Sequence, residues 1–446
     1  MLSAVTTQET APQQRARRVH PAWWVAAVTF LALVGAAAFR AVPGVLIEPL
    51  QAEFGWSTST ISAAVGLNMA LYGLTAPFAA ALMERFGIRR VVVAALLVVA
   101  IGSGLTVFMT SAWQLVVCWG LLVGLGTGSM AMSLVATVTG RWFVQRRGLV
   151  SGVLTAGGAA GQLVFLPIVA QVSQAYGWRP AALGTTAAAL VVTPFVAWLL
   201  RDRPSDVGAV PYGGTAADEP PRVTGNAART ALAGLALAAR TRVFWLLAAG
   251  FAICGATTNG LVQPHFIPAA HDHGMPVTTA ASLLALVGLF DIAGTIASGW
   301  LTDRVDPRLL LVAYYGLRGL SLSLLPPLFG SDLQASMIAF IVFYGLDWVA
   351  TVPPTLALCR QHFGARAPVV FGWVFASHQV GAAIAAYSAG VVRDVTGTYD
   401  AAWYGAALLC VVAAGLSFAI AKSRTPAPAP APDPELAAAE DAVTRG

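Results

Sequence analysis

A short polar motif occurs twice in this chain, each time wedged between two long apolar runs. The first copy is Ala80-Ala-Leu-Met-Glu84-Arg85-Phe-Gly87-Ile-Arg89-Arg90, and the second is Gly299-Trp-Leu-Thr-Asp303-Arg304-Val-Asp306-Pro-Arg308. Glu84 and Asp303 stand ~219 positions apart, about half the chain, and recurrence at such an offset marks an internal duplication. A second pair of turns agrees with it: Tyr176-Gly177-Trp178-Arg179-Pro-Ala and, ~220 positions later, Thr396-Gly397-Thr398-Tyr399-Asp400-Ala. The chain is therefore constrained to fold as two copies of one unit.

Composition places those units in a bilayer. Charged residues make up 10% and hydrophobic residues 57% of the chain, with a mean hydropathy of +0.72. A soluble domain carries about 25% charged residues, so this chain has too little charge to cover a water-facing surface. Many of its apolar runs reach the ~20 residues that a helix needs to cross ~30 Å of hydrocarbon. The short alternating segments of a β-barrel are absent. The net charge of +6 rests on arginine, with Lys422 the only lysine. The arginines are spread between apolar runs and form no basic patch, which argues against nucleic acid. Cys118, Cys254, Cys359 and Cys410 all fall inside apolar runs without CxxC or zinc-ligand spacing, and read as small core hydrophobes. The run after Arg15, Arg17 and Arg18 is too long for a signal peptide and reads as a retained first span.

The pattern predicts an all-α membrane protein of twelve transmembrane helices in two six-helix pseudo-repeats. The spans are 21–44, 58–83, 90–110, 112–138, 148–174, 180–200, 243–266, 277–301, 308–328, 334–358, 368–391 and 400–421. They group into an N-terminal tail (1–20), a first bundle (21–200), a linker (201–242), a second bundle (243–421) and a tail (422–446) expected to be disordered, with Ala-Pro alternation from Thr425. In this topology nearly all arginines lie on one side, and only Arg179 and Arg393 on the other. The positive-inside rule then puts both termini and the linker in the cytoplasm of a multi-pass inner-membrane protein. Within the linker, Ala228 to Arg240 has the makings of an interfacial helix.

The Glu84-Arg85-x-Gly87-x-Arg89-Arg90 and Asp303-Arg304 loops resemble the cytoplasmic signature of the major facilitator superfamily. Ala80 and Gly299 stand where that pattern places a glycine, and Glu84 replaces its aspartate. The resemblance implies gating loops in which the acid, the arginines and a neighbouring helix N-terminus meet in one conformation and part in the other. Trp142-Phe143-Val-Gln-Arg146-Arg147-Gly-Leu149-Val-Ser-Gly152-Val-Leu-Thr-Ala156-Gly157 is similar to the fifth-helix signature of monocarboxylate transporters, with Trp142 for the customary tyrosine. Its small residues at helical spacing let helices approach closely. Glu53-Phe-Gly-Trp56-Ser57 and Arg203-Pro204-Ser-Asp206-Val-Gly208 resemble a bacterial branch of monocarboxylate and oxalate/formate-type carriers. The acidic-Gly signature of the first helix is missing; His20-Pro21-Ala22-Trp23-Trp24 stands there.

Ionisable residues at membrane depth cost roughly 2.5–3.5 kcal/mol each on the insertion scale and therefore face protein or water. Four stand out: Arg40, Asp291, Arg318 and Asp347. Arg40, with Glu48 eight residues on, matches a Lys–Glu spacing implicated in anion binding in the related carriers; it either grips a substrate carboxylate or partners an internal acid. Asp291 matches a coupling aspartate of those carriers, with Thr295 in place of the arginine four residues on. It either carries a proton or sits in a permanent ion pair. Arg318 pairs with Asp347 or with Asp291, as intramembrane ion pairs do. His378 stands where oxalate/formate-type carriers place a cationic lysine, and is either a substrate or proton group or a neutral core histidine. Asn259, Gln263 and His265 run along the seventh helix, to bind a substrate oxygen or to pair between helices. His265, His271 and His273 lack an acidic or cysteine companion of metal-site spacing. Gly152, Gly157, Gly158 and Gly161 have neither the strand nor the Lys-Ser/Thr of a phosphate loop.

No enzyme constellation or cofactor motif is present. The resemblance implies a monomeric secondary transporter moving a small organic anion, a monocarboxylate, together with protons by alternating access. The alternatives are a proton-coupled exporter of a drug or metabolite and, from another class, a non-transporting membrane sensor.

Overall fold

The computed structural model describes residues 19–56, 58–221 and 225–421, without the side chains at 38–48 and at scattered further positions. Arg40 and Glu48 belong to that stretch, so their side chains lie outside the described residues, as does the tail from 422. The described chain is helical. In the first half α1 (Pro21–Phe54), α2 (Thr58–Phe86) and α3 (Ile88–Thr106) are single rods. The fourth crossing is composite: α4 (Ala112–Leu115), a π-helical stretch Val116–Val123, α5 (Gly124–Ser129) and α6 (Met132–Trp142). Then come α7 (Arg147–Tyr176) and α8 (Trp178–Leu199). The linker carries α9 (Ala227–Ala238).

In the second half, α10 (Arg242–Gly255) runs through a π-helical stretch Ala256–Val262 into α11 (Gln263–Asp272). It is followed by α12 (Val277–Thr302), α13 (Pro307–Leu324), α14 (Ala335–Asp347), α15 (Val352–Phe363), α16 (Ala367–Thr396) and α17 (Asp400–Phe418). Among the described residues nine helical stretches are long and apolar enough to cross a membrane. One of them, Ala335–Thr396, has 62 residues; at ~1.5 Å per residue it is about three bilayers long and crosses twice. With α1 and α13, which carries Arg318 in mid-span, the crossings number twelve. The first helix runs ten residues beyond its expected end at 44, to Phe54, and the tenth crossing is broken between α14 and α15.

The turns that repeat in sequence repeat in backbone. Gly177 and Gly397 have φ of +87° and +77°, a region open to glycine, and each turns the chain between two crossings.

Within each half the helices pack closely, α1 on α7, α3 on α8, α13 on α17 and α10 on α16. Between halves two contacts dominate, α7 with α12 and α2 with α16. The duplication maps α2 onto α12 and α7 onto α16, so these are one contact made twice. The linker is docked at several of its described residues. Backbone bonds tie Tyr212 to Trp142, Val144 and Gln145, and its ring packs against Trp23 and Phe143. On α9 the small residues Ala227 and Ala231 bury against Ala80, Ala81 and Val369, while Leu232 and Leu237 point outward. The expected interfacial helix therefore lies across both halves, small side toward protein and leucine side away from it.

Candidate functional site

The atoms that touch across the two halves cluster on the face that carries the linker. Tyr72 and Phe375 meet edge to face, and a β-carbon on Gly372 would lie 2.6 Å from Pro77 Cα. A β-carbon on Gly152 would lie 2.6 Å from the Thr295 carbonyl oxygen, and one on Gly299 would lie 2.4 Å from that of Gly148. Only glycine allows the helices this near. At the end of the same seam Asp303 takes the backbone N–H groups of Gly148 and Leu149, at 2.7 and 2.9 Å. A carboxylate on the first turn of α7 satisfies orphan donors and meets the positive end of the helix dipole. In this structure the linker face is closed.

The duplicated acid does not repeat this contact. At the same ~219-residue offset Leu149 corresponds to Pro368, which has no N–H to give. Ala367, the counterpart of Gly148, keeps its N–H, so one of the two donors is lost; Glu84 makes no hydrogen bond or ion pair among the described residues and borders a cavity with Arg141 and Arg366. The other residues of the first loop have separate tasks. Arg85 lies over the Phe86 ring at 4.7 Å. The Arg89 N–H donates to Asp202 at 2.7 Å, so a linker carboxylate caps α3. A β-carbon on Gly87 would collide with that carboxylate, and Arg90 is exposed. Arg304 folds back over Trp300, 4.0 Å from the ring centroid. Replacing Asp303 by asparagine, which leaves an acceptor but no charge, is expected to weaken closure by about 0.5–1 kcal/mol. Cysteine-labelling rates on the linker face would rise by a few-fold; unchanged rates would deny Asp303 that part.

A second polar group lies inside the second half. Arg318 is 0% exposed and donates to Asp347 Oδ2 at 2.6 Å, to the Asp347 carbonyl at 2.6 Å and to Cys254 Sγ at 3.1 Å. Of the two partners foreseen for Arg318, the geometry takes Asp347. Asp291, 2% exposed, instead accepts from Thr295 Oγ1 at 2.8 Å and from the Val349 N–H at 3.0 Å. Thr295, which stands in place of the customary arginine, is thus its helix-turn partner. Asp291 and Asp347 end up on facing helices, one held by neutral donors and the other by a guanidinium.

The remaining candidates are scattered. His378 is buried between Phe251 and Phe375, with ring centroids 4.9 and 5.8 Å away. His265 shares a hydrogen bond with the Ala386 carbonyl at 3.0 Å and packs on Tyr399. Asn259 lies half-buried in the π-helical stretch, and Gln263 is exposed. Among the described residues no three potential metal ligands converge.

Several residues escaped the sequence reading except as marks of topology. Arg141 reaches the Met83 carbonyl at 2.9 Å, and Arg360 crosses between halves to Thr139 Oγ1 at 3.0 Å. Arg141 and Arg360, like Arg147 and Arg366, are separated by the same ~219 positions as Glu84 and Asp303. Carrying that offset through every arginine would have found them. On the opposite face, Arg179 pairs with Glu53 at 2.6 Å and Arg393 with Asp272 at 2.7 Å, so both arginines on that side are neutralised.

Twelve crossings, a duplicated seam and a bridging linker are the architecture of a membrane transporter. The chain belongs to the Major Facilitator Superfamily, whose sequence profile matches residues 28–386 and, in a second alignment, 257–444. It is 25% identical to the uncharacterized MFS-type transporter YcxA of Bacillus subtilis, over 89% of this chain and 94% of that one. It is 29% identical to monocarboxylate transporter 11 of Mus musculus, over 81% of this chain and 78% of the relative. Among solved structures it resembles the E. coli fucose:proton symporter FucP, with a TM-score of 0.64 at 16% identity over 88% of this chain and 98% of that one. The proton:xylose symporter XylE gives a TM-score of 0.65 at 14% identity, over 89% and 95%. At these identities the two structures attest the fold.

Proposed function

We propose that this protein carries a small monocarboxylate across the cytoplasmic membrane together with a proton, by alternating access, with both termini and the linker in the cytoplasm. In this reading it acts as a monomer whose rocking units are residues 21–200 and 243–421, joined by 201–242. The observation that carries the reading is the contrast between two buried carboxylates. Protonating Asp347 would cancel its ion pair with Arg318 and leave a buried guanidinium without a counter-charge, whereas Asp291 is held by a hydroxyl and an amide and can take a proton without parting from a cation. A buried acid of that kind changes the charge of the carrier without dismantling it. The relatives named monocarboxylate transporters support the choice of substrate.

Arg40 is assigned to hold the carboxylate, Asp291 and His378 to change protonation, and Asn259, Gln263 and His265 to line the path. Loading anion and proton together neutralises the site and lowers the barrier to reorientation, which couples the two fluxes. The test is uptake of a labelled panel of monocarboxylates into proteoliposomes with an inside-alkaline pH gradient. The wild type is expected to accumulate one of them faster under the gradient. Asp291→Asn is expected to abolish the acceleration while leaving exchange at equal pH, and Arg40→Ala to abolish both. Normal gradient-driven uptake by Asp291→Asn would remove that residue from the coupling; no carboxylate uptake by folded wild type would end the substrate assignment.

A further inference from the structure

Beneath the linker lies a cavity of about 660 Å³, bounded by α6 and the start of α7 from one half, by α15 and the start of α16 from the other, and by residues 217–221 and α9 of the linker. Five guanidinium groups face it, those of Arg141, Arg147, Arg203, Arg360 and Arg366. Against them stand three carboxylates, Glu84, Asp218 and Glu219. Glu219 belongs to Arg203, at 3.2 Å, and Asp218 is engaged by the N–H and hydroxyl of Thr215. Those Thr215 bonds hold the Asp218 carboxyl below its usual range. Burial raises Glu219, but the bonds from Ser205 and Arg203 more than offset it, so both acids are charged at neutral pH.

Thr215 is neutral and leaves the charge of Asp218 to Arg147, so four arginines share two further acids, Asp218 and Glu84, an excess of two positive charges. Arg141, Arg147 and Arg360 rest on neutral oxygens, those of Met83, Phe143 and Thr139, and none of them forms an ion pair among the described residues. A guanidinium has five donors and matches an oxyanion two at a time. The arrangement also has a symmetry reason. Arg141 with Arg360, and Arg147 with Arg366, are the duplicated pairs, so one copy of each comes from each half. Where Asp303 closes on the start of α7, Pro368 removes one of the two corresponding donors for Glu84, and the space between the Glu84 carboxyl and α16 stays open.

We propose that this cavity binds a small soluble oxyanion of two or more negative charges, of the phosphate or pyrophosphate type. The anion bridges the arginines of both halves and the linker, and so holds the linker face closed. A singly charged carboxylate would leave the excess of positive charge only half answered. The site is therefore distinct in its charge requirement from that of the transported substrate, and its test needs no transport.

The experiment is calorimetric titration of pyrophosphate, inorganic phosphate and acetate into the purified full chain in detergent, at low salt and matched ionic strength. Saturable binding is expected for pyrophosphate, weaker binding for phosphate and none for acetate. Arg366 is exposed, so Arg366→Gln should fold; it is expected to weaken pyrophosphate by roughly tenfold, and adding Arg360→Gln should abolish saturation, as loss of charge-assisted bonds predicts. Arg242→Gln, exposed and outside the cavity, should bind as wild type. Hydrogen exchange should slow at 216–219 and at the start of α16 on binding. Absence of saturable pyrophosphate binding, equal binding of acetate, or undiminished binding by the double variant would each overturn the proposal.

Discussion

Asp347→Ala is expected to be the most destabilising single change in the second half. It takes from the fully buried Arg318 its carboxylate partner at 2.6 Å and leaves, at residue 347, only the bond to the backbone carbonyl, among apolar helices. Removing one partner of a buried pair leaves an uncompensated charge and costs about 3–5 kcal/mol. Arg318→Ala should lose a similar amount, because Asp347 already has one buried oxygen with no partner and would then lose the other's. Thermal unfolding in detergent measures both. The double variant Arg318→Met/Asp347→Leu separates charge from packing: it should regain most of the loss, because neither charge remains to be solvated. If the double variant unfolds as early as the singles, the pair matters through shape or through the hydrogen bonds to Cys254 and Trp348. If neither single variant is destabilised, the pair is open to water.

Gly152→Leu is expected to stop transport without unfolding either half. Its β-carbon alone would come within 2.6 Å of the Thr295 carbonyl and 3.0 Å of Gly299 Cα, both backbone atoms that cannot swing aside. The strain falls on the approach of α7 to α12, which in the proposed rocking parts when the linker face opens. Overpacking of this kind costs roughly 1–3 kcal/mol, enough to lower the closed-to-open ratio by about five- to 150-fold. Gly152→Ala should show a smaller form of the same effect, and Gly299→Leu should match Gly152→Leu from the opposite helix. Cross-linking of cysteines across the linker face reads closure directly. Undiminished cross-linking in Gly152→Leu would mean that the seam yields elsewhere.

The helices and their duplication could be read from the chain because both are local: apolar runs of spanning length, broken by charged turns at one offset. Glu84, Asp303, Asp291, Arg318 and Asp347 were legible for the same reason, since an ion among apolar neighbours announces itself. What could not be read was partnership. Arg318 had two acids within plausible reach, and the choice of Asp347 depends on how α13 packs on α14. The attachments of the linker were equally hidden: Asp202 caps α3, Arg203 holds Glu219, and Tyr212 joins the backbone of the α6–α7 turn. Nothing in those residues singly predicts long-range contacts. The unequal duplicated loops were visible in principle, because Pro368 stands in the sequence. Its meaning needed the knowledge that the carboxylate of the other copy caps the corresponding turn.

The two ion pairs on the face opposite the linker have a mechanical meaning. Glu53 and Arg179 both belong to the first half, and Asp272 and Arg393 both to the second. In the proposed rocking each pair would ride within its own half, and swinging the halves apart or together would leave it intact. Added salt should therefore loosen each bundle slightly while leaving the pace of the swing on that side untouched. The polar contacts described between the halves, Asp303 with the start of α7 and Arg360 with Thr139, lie at the other end of the molecule, which would make the carrier a lever weighted on one side.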